Sequence, residues 1–222
     1  MSVKTISAGA RYYGAVTLPL YDLAVLKTVV QYAWRCPLSK EQELYNRSVG
    51  AKHLDVGVAS GYFLHHIKWP VDKPEITLMV LNPNSTKYAA DRLSRYTISE
   101  LAGDALEPFP TDEKFDSVGM FHLLHCIPGN LREKQRVLEN AGQVLKPGGV
   151  VFGANVTPVD CQPNHFAKSV LWLSHSLGAL NNQKDSHADM EKALEETFED
   201  YKLERVGCMS LWEARRPISK KS

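Results

Sequence analysis

The chain has 222 residues, with 26 basic and 25 acidic side chains and a formal net charge of +1 at pH 7. That length suits one domain, and the balanced charge excludes the basic excess typical of nucleic-acid and anionic-membrane binders. Hydrophobic residues at 44% and charged residues at 23% exclude a disordered chain, and no apolar run approaches the roughly 18 residues of a membrane span.

The N-terminus, Met1 to Ile6, lacks the apolar core of a secretory signal. The four cysteines, Cys36, Cys126, Cys161 and Cys208, are far apart without CxxC spacing. This predicts free thiols in a reducing compartment and hence a cytoplasmic protein. An aromatic segment follows, with Tyr12, Tyr13, Tyr21, Tyr32 and Trp34. It reads either as a helix covering the sheet or as a lid, with Tyr13 or Tyr21 facing a cationic centre.

Near-continuous apolar runs at His53–Ala59, Ile76–Leu81, Phe115–Leu124 and Val150–Ala154 suit strands buried on both faces. Asn84-Ser85-Thr86 can cap a helix with Tyr88, Ala89 and Leu93 on one face. A third strand fits Thr97 to Ala102, and Leu131 to Leu145 carries Val137, Leu138, Ala141 and Val144 at helical spacing. In the segment from Pro163 to Leu180, the spacing of Phe166, Val170, Leu171 and Leu177 predicts a helix. That would turn Trp172 and Leu173 toward a substrate pocket or a second copy, which leaves a homodimer open. A polar helix near Ala188–Phe198 precedes two alternating stretches separated by Gly207. Alternation of this kind predicts βαβ units in a doubly wound, mostly parallel sheet with one antiparallel edge.

The first strand ends in Asp55-Val56-Gly57-Val58-Ala59-Ser60-Gly61, directly before a helical pattern. Small residues at 57, 59 and 61 let the backbone turn tightly and approach a ligand. The acid two positions before the first glycine is foreign to the nicotinamide fingerprint, and suits a ligand with an ammonium or sulfonium centre. Gly103-Asp104-Ala105 closes the third strand, where Asp104 can accept from an adenine amino group.

Together these segments resemble the class I S-adenosylmethionine-dependent methyltransferases. Leu145-Lys146-Pro147-Gly148-Gly149 is similar to the turn before their fifth strand, and the match narrows to small enzymes of bacterial and fungal secondary metabolism through Leu20-Tyr21-Asp22-Leu23, Trp34-Arg35-Cys36-Pro37, Gly61-Tyr62-Phe63-Leu64, Leu81-Asn82-Pro83-Asn84-Ser85 and Leu123-Leu124-His125-Cys126-Ile127-Pro128-Gly129. The resemblance implies a Rossmann-like seven-stranded α/β sheet under an N-terminal helical lid. It implies a single domain, with a cap at about 1–45, a cofactor-binding core at about 50–156, and helices with the last two strands at about 160–222. S-adenosylmethionine is the implied cofactor, held by Tyr21, Asp55, Gly57, Ala59, Gly61, Asn82, Asp104, Ala105 and Phe121. The family's ribose-binding acid falls on Val80. Its loss would weaken donor binding about tenfold to a hundredfold, with Asn82 or Asn84 as partial substitutes.

Methyl transfer needs in-line positioning, and a base where the acceptor is protonated. His122 and His125, at the carboxyl end of the fourth strand, are the candidate bases. No metal is expected, because His122, His125 and Cys126 lack a further paired ligand. The expected partner is a small, apolar natural product, acting through an oxygen, nitrogen or carbon nucleophile, with neither nucleic acid nor membrane involved. A methyltransferase-fold cyclase or isomerase that transfers no methyl group is the alternative.

Overall fold

The computed structural model describes residues 22–81 and 87–219. Tyr12, Tyr13, Tyr21, Asn82 and the Asn84-Ser85-Thr86 cap lie outside the described residues. The apolar runs become strands β1 (Lys52–Val56), β2 (Glu75–Val80), β3 (Thr97–Ala102), β4 (Phe115–Phe121) and β5 (Leu145–Val156), followed by β6 (Phe198–Val206) and β7 (Met209–Pro217). They form one seven-stranded sheet in the order β3-β2-β1-β4-β5-β7-β6. Strands β1 to β5 pair in parallel, whereas β7 runs against both β5 and β6. The antiparallel edge is therefore a β6–β7 hairpin. It turns at Gly207 with φ +62°, where any Cβ would overlap the Trp34 carbonyl.

Period-two alternation sends side chains to opposite sheet faces. Leu54, Val56, Met79, Val118 and Val151 join one core cluster. Ile76, Leu78, Val80, Phe152, Ala154 and Val156 join the other. The first cluster is closed by α4 (Leu131–Gln143), through Val137, Leu138 and Ala141, and by α6 (His187–Thr197), through Met190, Ala193 and Leu194. An N-terminal π-helix (Asp22–Ala33), α1 (Leu38–Ser48), α2 (Tyr62–His66), α3 (Lys87–Arg92) and α5 (His165–Ser176) contribute to the second. Helix α4 starts at a capping box: the Asn130 side chain accepts from the Glu133 amide, and the Glu133 carboxylate accepts from the Asn130 amide. It stops at Gln143, two residues short of the sequence reading, because Leu145 already pairs with Phe115 in β5.

Two expectations are corrected here. Helix α5 faces inward through Ala167 and Leu171, leaving Phe166, Trp172, Leu173 and Leu177 exposed. Apolar spacing alone did not identify the packed stripe, because a small alanine, and not Phe166, fits against the core. Cys161 and Cys208 are joined as a disulfide between the segment after β5 and the β6–β7 turn, with 5.2 Å between Cα atoms. They are 47 residues apart, so tertiary folding and not local spacing pairs them. Cys36 and Cys126 are free, and the thiol argument for a reducing compartment no longer covers all four cysteines. Among the described residues no helix is long and apolar enough to cross a membrane.

Candidate active site

The turn from β1 into α2 places three residues in left-handed backbone: Gly57 at φ +81°, Ala59 at +48° and Gly61 at +70°. The Gly57 amide donates to the Met79 carbonyl at 2.9 Å, which ties the loop to β2. A Cβ on Gly57 would lie 2.9 Å from Leu123 Cδ1, so that glycine is required by both space and φ. Ala59 has no such freedom, and a left-handed alanine is strained by about 1–2 kcal/mol. Ala59→Gly is expected to raise stability by about 0.5–1 kcal/mol, once glycine's larger unfolded-state entropy is subtracted. The thermal midpoint should rise by about 1–4 °C, and an unchanged or lower midpoint would show that the loop holds no strain at 59.

Beyond the loop opens a cleft lined by Leu26, Asp55, residues 57–64, Phe121 and His122. It sits at the carboxyl ends of β1 and β4, where ligands of open α/β sheets bind. Leu26 reaches it from the π-helix. The aromatic rings of Phe63 and Phe121, 4.8 Å apart between centroids, make one wall, and the Asp55 carboxylate offers charge at the loop. A carboxylate and a left-handed glycine turn at the same cleft fit an adenosyl amino acid bearing an ammonium group.

His122 follows β4 directly, at φ +58°. Its amide donates to the Ala154 carbonyl at 2.8 Å and so prolongs the β4–β5 ladder through the strained residue. Its Nε2 lies 3.1 Å from Oε1 and 3.4 Å from Oε2 of Glu41, a fully buried carboxylate on α1. Sequence reasoning missed Glu41. The available signal was helical spacing, since Glu41 shares a buried face with Leu44, Tyr45 and Ser48, and an acid there requires a partner.

The structure does not give His125 the role of base. Its Nδ1 accepts from the Val156 amide at 3.0 Å, and its carbonyl accepts from the Asn181 amide at 2.7 Å. Burial, reinforced by His122 and Lys134, holds its pKa well below the usual histidine range. His125 therefore fastens the turn after β4 to β5 and is absent from the cleft lining. Asp104 and Ala105 follow β3 and do not line this cleft either. Asp104 Oδ1 accepts from the Leu106 amide at 3.0 Å, and the Ala105 carbonyl accepts from Asn140 Nδ2 at 3.1 Å. Val80, where the resemblance puts the family's ribose-binding acid, is the last residue of β2. It is 8% exposed, packed on the Ile76 and Leu78 face of the core, and a carboxylate there would be buried among apolar groups. The first exposed side chain past β2 is Leu81, and Asn82 lies outside the described residues. Among the described residues, no group of three His, Cys, Asp or Glu side chains is placed to hold a metal.

Residues 54–151 match the methyltransferase domain family. Demethylluteothin O-methyltransferase of Streptomyces thioluteus is 38% identical over 93% of this chain and 90% of its own length. The physcion biosynthesis cluster O-methyltransferase of Aspergillus chevalieri is 35% identical over 94% of this chain and 95% of its own. The crystal structure of N-methyltransferase NodS from Bradyrhizobium japonicum WM9, in complex with S-adenosyl-L-homocysteine, shares the fold. Its TM-score is 0.63 at 16% identity, covering 96% of this chain and 100% of that one.

Proposed function

The chain belongs to the class I S-adenosylmethionine-dependent methyltransferases, and from that premise we propose that it methylates a hydroxyl group of a small natural product, with His122 as base. The observation that carries this reading is the His122–Glu41 pair at the cleft, at 3.1 Å. A hydroxyl is a weak nucleophile until a base takes its proton, and the buried Glu41 carboxylate holds the imidazole ring beside the cleft. Two relatives named as O-methyltransferases, one of demethylluteothin and one of a physcion biosynthesis cluster, support a hydroxyl acceptor on a natural product.

When bound, S-adenosylmethionine supplies an electrophilic methyl group, whose carbon–sulfur bond breaks as the new oxygen–carbon bond forms. The chain's residues do the rest. The loop through Gly57, Ala59 and Gly61 admits the donor close to the backbone, and Asp55 holds its ammonium group. Leu26, Phe63 and Phe121 keep the cleft apolar, which strengthens the electrostatics inside it. His122 receives the acceptor's proton, and Glu41 keeps the ring oriented. Leu26, lining the cleft from the π-helix, supports the reading of the N-terminal part as a cap.

The test incubates the purified protein and S-adenosylmethionine with demethylluteothin, with hydroxylated aromatic polyketides and with the matching amines, followed by mass spectrometry. The expected product is a hydroxyl acceptor heavier by one methyl group, with S-adenosylhomocysteine formed in equal amount. Methylation of the amines alone would overturn the hydroxyl assignment. A product of unchanged mass, formed without donor, would overturn methyl transfer.

A further inference from the structure

Behind Asp55, away from the cleft lining, lies a buried polar chain that the methyl-transfer scheme does not use. The Tyr45 hydroxyl, on α1, donates a short hydrogen bond to Asp55 Oδ2. Its single hydrogen is thereby committed, so the contact at 2.9 Å with His53 Nε2 is one in which the tyrosine oxygen accepts. That places the His53 proton on Nε2. Nδ1, 2.8 Å from Ser117 Oγ, then accepts from the serine hydroxyl, and Ser117 in turn accepts from the Gly50 amide at 2.8 Å. Every bond runs the same way, from Gly50 through Ser117, His53 and Tyr45 to the carboxylate. His53 Nε2 is 3.8 Å from Asp55 Oδ2, with the Tyr45 hydroxyl bonded to both.

Tyr45, His53 and Ser117 are each 0% exposed. Three polar side chains hidden this completely need a reason, because each is desolvated at a cost that an apolar residue would not incur. The fold makes room for them. Gly119, which pairs with Asp55 in the β1–β4 register, has no side chain, and a Cβ there would lie 3.1 Å from both Tyr45 Oη and His53 Cε1. The tyrosine ring is fixed by Phe63, Phe121 and Phe152, with centroids 5.7, 4.9 and 4.9 Å away. Phe63 and Phe121 also line the cleft.

We propose that Tyr45 is a positioning residue for the donor: oriented by His53 and Ser117, it fixes the Asp55 carboxylate so that the carboxylate can hold the ammonium group of S-adenosylmethionine. The inference rests on the assignment of Asp55 to that group. Hydrogen bonds donated along one direction polarise one another, so each link strengthens the next toward the carboxylate. The chain engages Oδ2 alone and fixes the carboxylate plane at the cleft.

The experiment compares binding of S-adenosylmethionine, S-adenosylhomocysteine and 5′-methylthioadenosine by calorimetry. The last ligand keeps the adenosine and sulfur but lacks the amino-acid portion. Tyr45→Phe is expected to weaken the first two about tenfold or more, the scale of a hydrogen bond to a charged group. It should leave 5′-methylthioadenosine within about twofold. Ser117→Ala, at the far end and small in volume, should show the same selectivity with a loss of about twofold to fivefold. It also serves if Tyr45→Phe fails to fold. Equal weakening of all three ligands, or unchanged S-adenosylmethionine affinity in Tyr45→Phe, would overturn the proposal. Asp55→Asn separates the two readings. If it leaves S-adenosylmethionine affinity unchanged, the Asp55 assignment falls; if it weakens binding while Tyr45→Phe does not, only the positioning role falls.

Discussion

His122→Asn is expected to lower kcat by about 10²–10⁴, the usual contribution of a positioned general base, while the Kd for S-adenosylmethionine stays within about threefold. Asparagine is chosen because His122 sits at φ +58°, where a β-branched or bulky replacement would add backbone strain to the loss of the ring. Asparagine tolerates that conformation and keeps the amide bond to Ala154 in place. Its amide nitrogen reaches only as far as the ring's Nδ1, short of the Nε2 position beside Glu41, and it cannot take a proton. Glu41→Gln isolates the second member of the pair. It replaces the charged partner of the ring by a neutral group still able to hydrogen-bond, so kcat should fall about tenfold to a hundredfold. Single-turnover rates with calorimetric Kd values check both variants. A kcat for His122→Asn within about threefold of the parent would remove the base from the mechanism.

The sheet was legible in the sequence because both of its faces are covered. Ile76–Leu81 and Phe115–Leu124 read as continuous apolar runs for that reason; the second contains β4, and the first covers β2 except for Glu75. The glycine turn was legible because Gly57 and Gly61 hold backbone angles that other residues adopt at a cost. The partnerships of Glu41, Tyr45 and His53 were not: helical spacing sets Glu41 beside Leu44 and Tyr45, and His53 opens an apolar run, but neither pattern says which polar groups meet. They meet only because α1 docks over β5 and β7, which brings Tyr45 against Phe152 and His53. His122 and His125 stood three apart as candidate bases, and tertiary structure separates them: the first faces Glu41 and the cleft, the second faces the Val156 amide. The cysteine pair failed for the same reason, since Cys161 and Cys208 meet only after the hairpin folds back along β5.

The largest effect on stability is expected at Lys134, remote from the cleft lining. Its ammonium on α4 and the Asp185 carboxylate before α6 are both 0% exposed and 2.6 Å apart, and Lys134 Nζ also donates to the Asn181 carbonyl at 2.9 Å. Burial pushes the lysine pKa down and, although Lys134 opposes it, the aspartate pKa up. Both shifts point toward the neutral forms, so the pair is kept at a desolvation cost that its attraction only partly offsets. Asp185 Oδ1 has no hydrogen-bond partner, which adds to that cost. Removing one member strands the other. Lys134→Met should therefore destabilise the fold by about 3–5 kcal/mol, lowering the thermal midpoint by about 6–20 °C. A carboxyl with a folded-state pKa above its unfolded value keeps a proton in the fold that the unfolded chain has released. The deficit of Lys134→Met should accordingly grow as pH rises through that window and shrink as pH falls back toward it. The double variant Lys134→Met/Asp185→Leu removes both charges, and should recover to within about 1 kcal/mol of the parent. Asn181 connects this pair to the site: its amide donates to the His125 carbonyl and its side chain to the Cys126 carbonyl, so a loosened 181–185 segment also releases the turn that carries His122. Denaturant unfolding of the two variants checks the cycle. If the single substitution costs less than about 1 kcal/mol, or if the double variant is less stable than Lys134→Met, the pair is not the fastening described here.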